Sequence, residues 1–323
     1  MMDRKMKAYI LAAPEKYEPV WRPIPEPGPR QALIRMLVCG TCASEYYPWK
    51  TGEEIGRIYG HEGVGIIEAV GSEMKKFQVG DRVTGMMHEC FAEYTLGDED
   101  EMTKVPEGLR DEEAIGEPLA MLMSGVGNTP IELGESFAIV GTGYMGLGFM
   151  QLARAKGAGK IIAVDMREQG LEHARQFGAT ETYFSNEVPA EYIVDVWDDG
   201  IFDRGVPVVA EVTGNEAALQ LAGDMTAVHG HLAIAGYHQG GMRSINMALW
   251  NWKAITARNA HERRSWLCPG LIDRALTLVQ KKVLNTADMM TNEYGLDELN
   301  QALSDIGHKP DGYIKGFIRI GKL

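Results

Sequence analysis

The chain has 323 residues, 45% of them hydrophobic and 24% charged, which is long enough for two domains and excludes a collagen-like or disordered composition. Its 45 acidic residues against 32 basic ones give a net charge of -13, so no basic field gathers phosphate backbones and nucleic acid is set aside as a partner. No apolar run reaches the roughly 18 residues of a membrane span, Met1-Met2-Asp3-Arg4-Lys5 leads into no signal-peptide core, and four cysteines are too few for a disulfide framework, which together point to a cytoplasmic protein with no membrane partner.

In chain order, short apolar runs broken by Gly and Pro predict strands over 8–11, 31–38, 63–70 and 81–83, a β-rich unit. Pro23, Pro25, Pro27 and Pro29 occupy alternate positions, which no central strand accepts, and mark a surface connection between the first two strands. From about Ser136 the rhythm changes. Apolar strands over 137–140, 160–164, 182–184, 206–212 and 231–235 alternate with helical patterns over 145–155, 169–177 and 216–222. That alternation predicts a doubly wound parallel sheet covered on both faces. A strand at 255–259, helices over 270–280 and 296–306, and an apolar strand over 313–320 follow, the last part reading as a return to the first domain. The expected domains are therefore 1–125 with 263–323, and 126–262.

Gly141, Gly143 and Gly146 form a GxGxxG pattern with Tyr144 and Met145, directly after the apolar strand Phe137 to Val140 and opening the next helix. In a dinucleotide fold these glycines allow the tight turn, the approach of backbone to pyrophosphate, and the packing of helix on strand. Asp165 ends the following strand, 19 residues after Gly146, where a carboxylate reaches ribose hydroxyls and repels a 2'-phosphate. NAD is thereby expected over NADP, with Arg167, which can pair with a phosphate, as a counter-signal.

Cys42, His61 and Glu117 offer sulfur, nitrogen and carboxylate oxygen, the three donor types zinc accepts, with a fourth position open in a catalytic site. They lie 19 and 56 residues apart, which is no local motif; by spacing alone a buried cysteine and two solvated polar residues remain the alternative. Cys39-Gly40-Thr41-Cys42 has redox-motif spacing but no thioredoxin-like βαβ pattern around it.

The segments 39–45 (CGTCASE), 60–65 (GHEGVG), 79–83 (VGDRV) and 117–120 (EPLA), followed by the glycine motif at 141–146, resemble in content and order the zinc-dependent medium-chain dehydrogenases of the sorbitol and threonine dehydrogenase branch. The resemblance implies an α/β protein, a GroES-like β-rich catalytic domain plus a doubly wound Rossmann domain, with one catalytic zinc in the cleft between them. It places Cys42, His61 and Glu117 on the zinc ligands and leaves Cys39 a structural role. By the same match Glu62 is a carboxylate beside the metal, Ser44 a proton-relay hydroxyl and Glu45 the acid that orients the ligand histidine. Ser44 as a helix cap and Glu45 as a solvated side chain stay open as alternatives.

Three departures carry information. Only Cys90 occurs where relatives hold a structural zinc with four cysteines, so no structural zinc is expected. Tyr47 stands where many relatives have histidine, and His261, Glu262 and Arg263 fall where the chain returns toward the cleft; these four are the substrate-side candidates. The activity implied is NAD-linked interconversion of a secondary alcohol of a polyol, sugar or cyclitol with its ketone, in a homodimer or homotetramer joined through edge strands near 255–259. The alternatives are a metal-free, NADPH-dependent quinone or enoyl reductase of the same superfamily and a non-catalytic nucleotide-binding protein.

Overall fold

A computed structural model describes residues 5–322; most of the opening segment in which no leader was read, residues 1–4, lies outside them. Two compact units form, one from residues 5–120 with 263–322 and one from residues 121–262. Among the described residues no helix is long and apolar enough to cross a membrane.

The first unit begins with a hairpin, β1 (Lys5–Ala13) and β2 (Lys16–Pro23), paired antiparallel. The strand at 16–23 was not foreseen. Its prolines, Pro19 and Pro23, are tolerated because β2 belongs to a sheet of only two strands and leaves many of its amides outside any ladder. Then come β3 (Gln31–Gly40), α1 (Ala43–Thr51), β4 (Glu62–Val70), β5 (Arg82–Gly85), β6 (Tyr94–Asp98) and β7 (Met102–Lys104), and α2 (Glu117–Asn128) starts in the first unit and runs on into the second. The second unit runs through β8 (Ser136–Val140), α3 (Tyr144–Lys156), β9 (Lys160–Asp165), α4 (Glu168–Gln176), β10 (Glu181–Phe184), β11 (Val206–Glu211), α5 (Glu216–Met225), β12 (Thr226–Ile234), α6 (Met247–Trp252) and β13 (Thr256–Asn259). After it α7 (Cys268–Gln280), β14 (Met290–Gly295), α8 (Leu299–His308) and β15 (Lys315–Arg319) complete the first unit.

In that unit the large sheet has the order β14-β15-β3-β4-β5-β7, with β6 also on β3. Its core mixes both ends of the chain: Leu11, Ile34, Met36, Ile67 and Phe91 pack with Leu299, Leu303 and Ile318. In the second unit the order β10-β9-β8-β11-β12-β13 is parallel throughout, the arrangement of a dinucleotide-binding sheet with its reversal between β8 and β11. Ala138, Val140, Ile162, Val164, Val209 and Leu232 are all but fully enclosed there, which is why these strands read as unbroken apolar runs. Trp250 belongs to this core while Trp252, two residues on, is 62% exposed.

Candidate functional site

Three strands of the first unit meet at one point. In the register of β3 with β4, Gly40 faces Glu62 and Cys39 faces Gly63, while β15 sets Phe317 opposite Gly40. Gly40 is required there: a Cβ at that position would stand 2.0 Å from Glu62 Oε2, so only glycine leaves room for the carboxylate. Cys42 is the N-cap of α1, one residue before the helix begins, and its backbone N–H donates to Glu45 Oε2 at 3.2 Å.

The ligand atoms of Cys42, His61 and Glu62 all lie within 4.8 Å of one another. Glu45 is 2% exposed, which excludes the solvated reading of its side chain. Its Oε1 accepts from Gly60 N at 3.0 Å and faces His61 Nδ1 at 2.9 Å, so the imidazole is turned with Nε2 left for another partner. Burial alone would lower the His61 pKa, but the neighbouring Glu45 and Cys42 hold it well above the usual imidazole range. The Ser44 hydroxyl donates to Cys42 Sγ at 3.2 Å.

Glu117 stands outside the group of three, as the first residue of α2. Thr84 brings the chain to that position, its hydroxyl donating to Gly63 O at 2.8 Å and accepting from Gly116 N at 2.9 Å. Burial pushes the Glu117 carboxyl up to about 7; His61 and Lys315 oppose the rise, while Glu62 and Glu45 add to it.

Lys315 is the residue that sequence reasoning missed. It is 6% exposed, donates to Thr41 O at 2.9 Å and stands 2.6 Å from Glu62 Oε2. The signal was present, since it is a charge that interrupts the apolar run from Tyr313 to Ile318, and a lysine so enclosed needs a partner. Cys39 is fully buried, its thiol pushed up by burial and by the adjacent Cys90. Cys90 is likewise core, its N–H donating to Gly60 O. Tyr47 is 44% exposed on α1. His261 packs edge-on to Tyr237 with ring centroids 6.1 Å apart, Glu262 is buried and Arg263 is exposed. None of these four belongs to the Cys42, His61 and Glu62 group.

In the second unit Gly141 takes a φ of 103°, and a Cβ on Gly146 would stand 2.0 Å from Gly141 O, so both glycines are imposed by the turn. Gly143 caps α3, and Tyr144 is buried in its first turn with Met145 partly so. Asp165 Oδ2 accepts from Thr142 N at 2.9 Å and Thr142 Oγ1 at 2.7 Å, and Oδ1 accepts from Arg167 N at 3.0 Å. The carboxylate thus ties the end of β9 to the glycine turn. The Arg167 side chain lies 3.7 Å from it.

Residues 28–116 match the alcohol dehydrogenase GroES-like domain, and residues 145–281 match the zinc-binding dehydrogenase family. A sorbitol dehydrogenase of Bacillus subtilis is 28% identical over 94% of this chain and 94% of its own. A D-xylulose reductase of Saccharomyces cerevisiae is 25% identical over 97% of each. The structure of a dehydrogenase from Sinorhizobium meliloti, described as zinc-binding and bound to NADP, superposes with a TM-score of 0.83 at 25% identity, covering 98% of this chain and 99% of that one. The chain belongs to the zinc-containing medium-chain alcohol dehydrogenases, in the sorbitol dehydrogenase-like branch, and is an oxidoreductase. Membership in the zinc-containing family sets aside the metal-free reductases and the non-catalytic reading.

Proposed function

We propose that this protein interconverts a secondary alcohol of a polyol, sugar or cyclitol with its ketone, using one zinc ion per chain and NAD. The observation that carries the reading is the convergence of Cys42, His61 and Glu62 within 4.8 Å, with His61 braced by Glu45. A thiolate, an imidazole and carboxylates are zinc donors, and a carboxylate behind the histidine is the usual support of such a site. Bound there, zinc would supply a Lewis acid that lowers the pKa of an alcohol hydroxyl, and the nicotinamide cofactor would supply the hydride acceptor.

The chain's own residues supply the rest. Cys42, His61 and Glu117 would hold the ion, with Glu62, tethered to Lys315, beside it. Glu117 must shed its proton to do so. The substrate's proton would leave through Ser44 Oγ and the ribose hydroxyls of the cofactor. Tyr47, His261, Glu262 and Arg263 are the substrate-side candidates; hydrogen-bonding side chains of this kind select polyols over apolar alcohols. The sorbitol dehydrogenase and D-xylulose reductase relatives favour the same substrate class.

NAD is preferred because the Asp165 carboxylate sets a negative charge at the end of β9, where a 2'-phosphate would be repelled. The NADP-bound relative and Arg167 give the opposite outcome a concrete form. The absence of a second, structural zinc follows from the lone Cys90 in its lobe. Four free thiols suit a reducing, cytoplasmic compartment. Assembly as a homodimer or homotetramer is supported by β13, an edge strand whose four residues are all exposed.

Zinc per chain on protein purified without chelators, beside Cys42→Ser, tests the reading. About one zinc in the parent and little in the variant, with turnover of polyols faster on NAD than on NADP, is the expected result. No zinc and no turnover would overturn it, two would restore a structural site, and faster turnover on NADP would reverse the role given to Asp165.

A further inference from the structure

A chain of three side chains stands at the carboxyl edge of the second unit's sheet. Glu211, the last residue of β11, is fully buried. Its Oε1 accepts from Thr213 N at 2.5 Å, Thr213 Oγ1 at 2.6 Å and Gly214 N at 2.8 Å. Its Oε2 lies 2.9 Å from His238 Nε2, and Arg243 Nε donates to His238 Nδ1 at 3.2 Å. Arginine can only donate, so Nδ1 carries the lone pair and Nε2 carries the hydrogen given to Glu211.

Arg243 in turn gathers its own loop. Its guanidinium donates to the carbonyls of Gln239, Gly241 and Met242, and across to Gly214 O. Two segments are clasped by this arrangement, the turn at 211–214 after β11 and the loop at 235–243 after β12. They touch backbone to backbone: a Cβ on Gly236 would stand 2.2 Å from Gly214 N, and one on Gly214 would stand 2.4 Å from Tyr237 O. The turn also abuts the glycine motif, where a Cβ on Gly141 would stand 2.5 Å from Thr213 Cγ2.

The sheet order assigns a side to this clasp. Open parallel sheets bind nucleotides at the carboxyl ends of their strands, around the point where the order reverses. The glycine turn after β8 is the pyrophosphate position, and Asp165 at the end of β9 lies on the adenosine side. The ends of β11 and β12 lie on the other side, which leaves them the nicotinamide half. A buried carboxylate, a histidine with both nitrogens engaged and an arginine spent on loop carbonyls are a costly way to fix a nine-residue loop unless its conformation matters.

We propose that His238 is a positioning residue for the dinucleotide: with Glu211 and Arg243 it holds the 235–243 loop in the conformation that receives the nicotinamide half. The inference rests on the dinucleotide reading given above. It makes a demand that a general support of the fold does not, because only ligands carrying the nicotinamide should notice the loss of the clasp.

The test compares NADH with ADP-ribose, which keeps the adenosine and pyrophosphate and lacks the nicotinamide, by titration calorimetry on the zinc-loaded full chain. His238→Phe keeps a ring and removes both hydrogen bonds; its NADH dissociation constant should rise about tenfold or more while that of ADP-ribose stays within about twofold. His238→Gln, whose amide can still donate to Glu211, should recover part of the loss, and Arg243→Ala, which removes the bonds to the loop carbonyls, should by itself weaken NADH selectively in the same way. Equal NADH affinity in parent and variants, or parallel losses for both ligands, would overturn the proposal. If His238→Phe does not fold, the same comparison is read on His238→Gln and Arg243→Ala. A parent that binds both ligands, with variants that show no such split, sinks the positioning role alone; a parent that binds neither ligand sinks the dinucleotide reading with it.

Discussion

Glu45 shows how much of the candidate metal centre is held by a residue that is not itself in the group of donors. It accepts from the N–H groups of Cys42 and Gly60 and faces His61, so one carboxylate sets both segments that carry donors. Glu45→Ala should therefore lower zinc affinity by about 10- to 100-fold, read by competition with a chromogenic chelator, while the chain still folds. Ser44→Ala is expected to retain zinc and, under the proposed mechanism in which its hydroxyl relays the proton, to lose turnover by about 10²-fold. An unchanged rate in a zinc-replete Ser44→Ala protein would remove Ser44 from the reaction. At this scale the sequence was informative wherever a motif carried the residue: Cys42, Ser44, Glu45, His61 and Glu62 sit in two short segments of family-like pattern. Lys315 has no motif and reaches Glu62 from 253 positions away in the chain, a partnership that only tertiary structure creates.

Among the elements, the legible ones are those buried on both sides. β8, β9 and β11 read as continuous apolar runs because helices cover both faces of the sheet. The illegible ones are short or mixed. β7 has three residues, β14 alternates exposed with half-buried positions, and α1 carries Pro48 inside a helix with no apolar stripe. The link from α3 to β8 gives a sharp test: Gly146→Ala would drive a Cβ into Gly141 O, so NADH binding should fall at least about tenfold. Lys253, just after α6, is fully buried and donates to the carbonyls of Val194, Gly223, Asp224 and Thr226, closing the end of α5. Lys253→Met removes one donor from each of those carbonyls, of which Gly223 O and Asp224 O keep the N–H groups of Thr226 and Val194, and should cost about 2 kcal/mol in urea unfolding. Stability unchanged in that variant would mean that water or a backbone shift replaces the ammonium.

For the molecule as a whole, acid is the expected weakness. Glu99 accepts from Arg30 and from the backbone N–H groups of Lys75 and Lys76, and these hold its carboxyl down to about 2 from an ordinary value of 4.5. A carboxylate depressed in the folded state contributes stability that is complete above about pH 4.5 and is lost as pH falls toward 2. Glu99→Gln should lower the thermal midpoint at pH 7 and flatten its fall between pH 5 and 3; a variant with the parent's acid limb would acquit this residue. The two-unit organisation has a further consequence in time. Residues 121–262 are one unbroken stretch, whereas β3, made before it, must wait for β15, made after it, to cover its edge. During synthesis the second unit can therefore fold while the first still exposes an open strand, and the ion pair of Glu62 with Lys315 cannot form until residue 315 has left the ribosome. A nascent chain halted near residue 290 should protect 121–262 from protease and leave 31–70 open to cleavage.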